Sequence, residues 1–172
     1  MYFIVANDES VYYNRVMNPS DDSKKIIIVE DNQSLAEIYK TRLELLGYTC
    51  FVAYNGITGL YFIQKELPDL VLLDLMIPDI SGGQLLATMR ATDWGKNIPV
   101  YVISNLNETE APKDLRDLGI SGYSVKAMMT EDTVDKIVNS ILRPDVEPAP
   151  SPSDTPPAGA TLADVPFHEA PQ

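Results

Sequence analysis

The chain has 172 residues, 45% of them hydrophobic, which is enough for one ordinary globular core and a tail. Its net charge of −12 leaves no basic surplus to displace counterions from nucleic-acid phosphate, which argues against DNA and RNA as partners. A single cysteine, Cys50, rules out an intramolecular disulfide, and its place in an apolar run predicts a buried core thiol.

Residues 1 to 22 show no sustained hydrophobic period and end in Asn18-Pro19-Ser20-Asp21-Asp22, which predicts a flexible leader with Met17 as a candidate start. The opening Met1-Tyr2-Phe3-Ile4-Val5-Ala6 lacks the basic flank of a secretory signal. No apolar stretch approaches the ~20 residues that cross a bilayer, so the expectation is a cytoplasmic protein without a membrane partner.

A domain is predicted over residues 23 to 143. It opens with a strand, Lys24 to Val29, that ends in Glu30-Asp31. The first helix follows from about Asn32 or Gln33 to Leu46, with Leu35, Ile38, Tyr39, Leu43 and Leu46 at helical spacing and Gly47 to end it. A short strand reaches Ala53, and a second helix runs from about Gly56 to Glu66 with Leu60, Phe62 and Ile63 inward. The third strand, Leu70-Val71-Leu72-Leu73, ends at Asp74 and opens the loop Leu75-Met76-Ile77-Pro78-Asp79-Ile80-Ser81.

A third helix over about 82–91 turns Leu85, Leu86 and Met89 inward, and a fourth strand from Pro99 to Ile103 leads to Ser104. Asn107 with Glu110 predicts the start of a weak fourth helix over 107–119, poor in large apolar residues and the loosest element. A fifth strand, 121–125, delivers Lys126, and a last helix over about 130–142 carries the stripe Val134, Ile137, Val138 and Ile141. After Arg143 eight of the chain's 13 prolines crowd into 144–172 with no lysine or arginine, which predicts a disordered acidic tail holding the solvated His168.

This alternation of strand and helix predicts an α/β fold: a doubly wound, five-stranded parallel sheet of the flavodoxin-like type, order 2-1-3-4-5, with helices on both faces. In such sheets the carboxyl ends of the strands gather at one edge, where ligands bind. Three carboxylates (Glu30, Asp31, Asp74), the Ser104 hydroxyl and the Lys126 ammonium therefore converge. Mutually repelling carboxylates need a shared proton or a cation, and an all-oxygen set suits a hard divalent ion such as Mg2+. A metal beside a lysine points to a phosphoryl group.

The successive intervals of 43, 30 and 22 residues, Asp31 to Asp74, Asp74 to Ser104 and Ser104 to Lys126, resemble those of receiver domains of two-component response regulators. The resemblance implies that Asp74 is the phosphoacceptor, taking a phosphoryl group from a histidine kinase or phosphotransfer protein. It implies that Asp31, Asp74 and the Met76 backbone carbonyl bind Mg2+, with Glu30 acting directly or through water, and that Lys126 and Ser104 engage the phosphoryl oxygens. Tyr123 resembles the family's aromatic switch, moving with Ser104.

On this reading the chain is a signalling phosphoacceptor rather than an enzyme on other substrates. It would act on an output protein through the face made by the 107–119 segment, the fifth strand and the last helix, or on a second copy of itself once phosphorylated. The 29 residues after Arg143 do not read as a DNA-binding output domain. Met76 and Leu106, two positions beyond Asp74 and Ser104, are both apolar and cannot orient a hydrolytic water, which implies a long-lived phosphoryl group.

Two departures stand out. Asn105 follows Ser104 where the family usually has a small residue, and Ala127 follows Lys126 where it usually has proline, so a trans peptide or a rearranged loop is expected there. They keep open a degenerate receiver that serves only as a docking module. A flavin-binding flavodoxin is disfavoured by the acidic Glu30-Asp31-Asn32-Gln33 at its phosphate loop, and a haloacid dehalogenase-type phosphatase by Met76 where a second acid belongs.

Overall fold

The computed structural model describes residues 23–112 and 115–144. The leader with Met17, and all but the first residue of the acidic tail, lie outside the described residues. Five strands, β1 (Lys25–Val29), β2 (Thr49–Ala53), β3 (Leu70–Leu73), β4 (Val100–Ser104) and β5 (Gly122–Val125), form one parallel sheet in the order β2-β1-β3-β4-β5. Four helices flank it: α1 (Gln33–Leu45), α2 (Gly56–Glu66), α3 (Gly82–Arg90) and α4 (Glu131–Leu142).

The pleat divides each strand between two cores. Ile26 and Ile28 of β1 with Leu70 and Leu72 of β3 meet Ala36, Tyr39 and Leu43 of α1 and Val134 and Val138 of α4. Ile27, Val29, Val71 and Leu73 meet Ile63 of α2 and Leu85, Leu86 and Met89 of α3 on the other face. Cys50 lies buried in the first of these cores, as its apolar run predicts. No described helix is long and apolar enough to cross a membrane.

The helix starts follow local chemistry. The side chains of Asn32, Asn55 and Ser81 each accept a backbone N–H of the first turn of α1, α2 and α3, and Ser81 with Gln84 closes a capping box. Ile38, expected among the inward residues of the first helix, is 53% exposed. Ala36, Tyr39 and Leu43 form the buried line, and Ile38 stands about 100° round the helix from Tyr39.

The helix expected over 107–119 does not form among the described residues, which make turns instead. Pro112 has no N–H to give, and few large apolar side chains are present to hold a helix down. Leu115 N–H bonds the Pro112 carbonyl and Gly119 N–H the Arg116 carbonyl, the tight three-residue pattern. Leu115 is nevertheless buried, and Leu118 packs partly against the same core. A tether on this segment also comes from outside it. Arg90, at the end of α3, donates to the carbonyls of Leu118, Gly119, Gly95 and Ile98 at 2.7 to 3.0 Å.

Candidate phosphoacceptor site

The backbone ladder runs one residue past β1 and β3: Glu30 N–H bonds the Ala53 carbonyl at 3.0 Å and Asp74 N–H the Val29 carbonyl at 2.9 Å. Both acids are thereby fixed at the carboxyl edge of the sheet. The loop after Asp74 is drawn tight by Gly82, whose N–H bonds the Leu75 carbonyl at 3.0 Å and whose position a side chain would drive into the Asp74 carbonyl. This is where glycine at the start of α3 is required.

At the centre stands Lys126, delivered by β5. Its Nζ lies 2.6 Å from Glu30 Oε2 and 2.6 Å from Asp74 Oδ2, with the three side chains only 9%, 3% and 2% exposed. Asp74 Oδ1 accepts the Met76 N–H at 3.1 Å, and Glu30 Oε1 accepts the Asn32 N–H at 3.2 Å. Burial pushes the Glu30 carboxyl above its ordinary range despite the opposing pull of Lys126. For Lys126, burial alone would favour the neutral amine, but Asp74 and Glu30 together outweigh it and hold the ammonium's pKa above its usual value.

Asp31 differs from its neighbours in being exposed, on the loop before α1. One carboxylate oxygen from each of Glu30, Asp31 and Asp74 lies within 4.8 Å of the others. A set made only of hard, anionic oxygens at this spacing fits a hard divalent cation and offers nothing to a soft one. Met76 turns its side chain outward, 57% exposed, so the backbone is what it can offer the site.

Ser104, the last residue of β4, is fully buried, and its Oγ has no hydrogen-bond partner among the described residues. A buried hydroxyl without a partner is costly and marks a place where an acceptor belongs. Tyr123 is half-buried, and its hydroxyl donates to the Leu106 carbonyl at 2.7 Å. Burial raises the tyrosine's pKa; Ser104 Oγ is near enough to oppose the rise without making a hydrogen bond of normal geometry.

Glu30, Asp31, Asp74 and Lys126 are thus brought together, and the sheet register sets Ser104 opposite Val125, the residue before Lys126. The Lys126–Ala127 peptide is trans, with no cis bond among the described residues, and Lys126–Met128 forms a short 3-10 turn. Asn105 points to solvent. One neighbour of the site was not legible from spacing: Tyr39 of α1, which the sequence marks only as a core residue, lies where the charges of Glu30, Lys126 and Asp74 all reach its hydroxyl.

Residues 26–138 match the family described as response regulator receiver domain. The regulatory protein VanRc of Enterococcus gallinarum is 31% identical over 121 residues, 70% of this chain and 51% of that protein. Sporulation initiation phosphotransferase F of Bacillus subtilis is 30% identical over 115 residues, 67% of this chain and 91% of that protein. The chain therefore spans about half the length of relatives such as VanRc and nearly all of the shorter one. A CheY-like response regulator receiver domain from Methylobacillus flagellatus superposes with a TM-score of 0.61 at 28% identity, covering 70% of this chain and 99% of that structure.

Proposed function

The chain belongs to the response regulator receiver domain family, and on that premise we propose that Asp74 accepts a phosphoryl group from a histidine kinase or phosphotransfer protein in a Mg2+-dependent reaction. One observation carries the reading: a buried lysine bridging two buried acids at 2.6 Å, on the same sheet edge as a buried hydroxyl that lacks a partner. An Asp74 carboxylate oxygen attacks phosphorus, the O–P bond forms as the donor's N–P bond breaks, and the donor imidazole leaves with its electron pair. Glu30, Asp31, Asp74 and the Met76 carbonyl would hold Mg2+, which when bound supplies positive charge against the phosphoryl oxygens.

The residues of this chain do the rest. Lys126 exchanges a carboxylate contact for a phosphoryl oxygen, and the Ser104 hydroxyl gains the acceptor it lacks. These contacts exist only with phosphate present, so they favour one conformation over the other, and Tyr123 transmits the shift through its bond to the Leu106 carbonyl. We read the protein as a cytoplasmic phosphoacceptor that catalyses only its own phosphorylation and dephosphorylation. It signals by protein contact, to an output protein or a second phosphorylated copy, rather than through nucleic acid. A groove of about 350 Å3 lined by Ala111, Pro112, Leu115, Ile120 and Tyr123 supports contact on the face that includes β5.

The test is incubation with acetyl phosphate and Mg2+ followed by intact mass. The wild-type chain is expected to gain one phosphoryl group and Asp74→Asn none, with the same far-UV spectrum. A chain that takes up no phosphate is a docking module, and uptake by Asp74→Asn would move the acceptor elsewhere.

A further inference from the structure

Lys126 has to hold its ammonium between two buried acids, yet it begins a three-residue 3-10 turn whose next two residues, Ala127 and Met128, are exposed. Something has to anchor that turn from the far side. The turn closes through the Met129 N–H on the Lys126 carbonyl at 3.1 Å, and the Met129 side chain packs on the core beneath α1 and α4. There the Tyr39 hydroxyl donates to Met129 Sδ at 3.9 Å. Tyr39 itself is only 7% exposed, wedged between Ala36 and Leu43 on the buried line of α1.

We propose that Tyr39 is a positioning residue for the phosphoryl transfer: through Met129 it fixes the Lys126 turn, and so fixes where the ammonium stands relative to Asp74. The inference rests on the reading of Asp74 as phosphoacceptor. Two features support it. A buried phenol needs an acceptor, and the thioether is the one it has, so the contact holds both side chains in one arrangement. The tyrosine also lies within the field of the site: burial first, then Glu30, raise its pKa, Lys126 opposes, and Asp74 adds to the rise.

The test uses the full chain as wild type, Tyr39→Phe, Met129→Leu and the double variant. Phosphorylation by acetyl phosphate at saturating Mg2+ gives one readout, and amide hydrogen exchange at Met129 without any phosphodonor gives the other. Each single variant is expected to react about threefold more slowly, the scale of one weak hydrogen bond. The double variant is expected to be no slower than either single, because both remove the same contact. Exchange at Met129 should quicken in every variant while amides of α2 and α3 keep the wild-type rate.

A wild-type phosphorylation rate in Tyr39→Phe, additive losses in the double variant, or unchanged exchange at Met129 would each overturn the proposal. Additive losses would mean general loosening rather than a shared contact. If the wild-type chain takes no phosphate, the proposed function fails, and the Met129 exchange by itself decides whether Tyr39 holds the turn. Should Tyr39→Phe not fold, Met129→Leu, at a half-buried position, answers the same question.

Discussion

The carboxyl edge of β1, β3 and β5 and the segment over 107–120 are neighbours built on opposite terms. At the edge, a lysine and two carboxyl side chains are nearly sealed from water and held by one another at 2.6 Å, on backbone fixed by the sheet ladder. Among its described residues the segment has turns in place of an α-helix, Ala111 and Leu115 as buried anchors, and Arg90 from α3 as a clamp. On the proposed reading, phosphoryl transfer would need the first region to stay still, because small errors in the placement of charge cost rate. Signalling through the second would need it to shift, and a region with few buried contacts moves at low cost. Tyr123 touches both, lining the groove beside this segment while bonding the Leu106 carbonyl two residues beyond Ser104.

The comparison breaks most visibly at Lys126. Lys126→Met strands Glu30 and Asp74 as facing buried acids, and in metal-free buffer it should lower unfolding free energy by about 3 kcal/mol, the lower end for a broken buried pair. Added Mg2+ should restore much of that loss in urea titrations. If Lys126→Met costs nothing without metal, the edge is not held by this ion pair. Arg90→Lys keeps the charge but loses the planar fork, leaving carbonyls of the segment without their donors. It should cost about 2 kcal/mol, and hydrogen exchange should quicken over 115–120 while β1 and β3 stay protected. Equal loosening of both regions would erase the distinction between them.

Cys50, in β2 and away from both regions, gives a baseline for pH. Burial pushes its thiol up to about 12 from an ordinary 9.0. Between those values the unfolded chain loses the proton that the folded chain keeps, so unfolding is favoured as pH rises. The stability is therefore intact below pH 9 and falls by about 1.4 kcal/mol at pH 10. Urea titrations at pH 8 and 10 check this, and Cys50→Ala should flatten the difference.

The smallest effect is expected at Met76. Met76 lies two residues beyond the acceptor with its side chain exposed, and Met76→Asn supplies a polar group that can swing back to orient an attacking water. It should shorten the lifetime of the phosphoryl group about threefold, or ~0.7 kcal/mol in barrier, measured as mass loss after donor removal. The companion change Leu106→Glu is a poorer probe, because Leu106 packs partly against the core and its carbonyl carries the Tyr123 bond.

The parallel sheet, its strand order and the gathering of Glu30, Asp31, Asp74, Ser104 and Lys126 at one edge were legible in the chain itself. Apolar runs of strand length ending in polar residues, alternating with helical stripes, leave few other ways to bury both faces of a sheet. Contacts between residues far apart in sequence were not legible. That Lys126 spans two acids 52 and 96 residues earlier, that Ser104 is left without a partner, and that Tyr39 reaches Met129 depend on rotamers and depth of burial, which local periodicity does not encode. The 107–119 segment shows the same division from the other side. Its capping signal is met in half: Glu110 Oε2 accepts the Asn107 N–H, while the Glu110 N–H goes to the Asn107 backbone carbonyl and not to its side chain. Whether a helix follows is decided by how much apolar surface the sheet offers to pack against, and that is a property of the folded core.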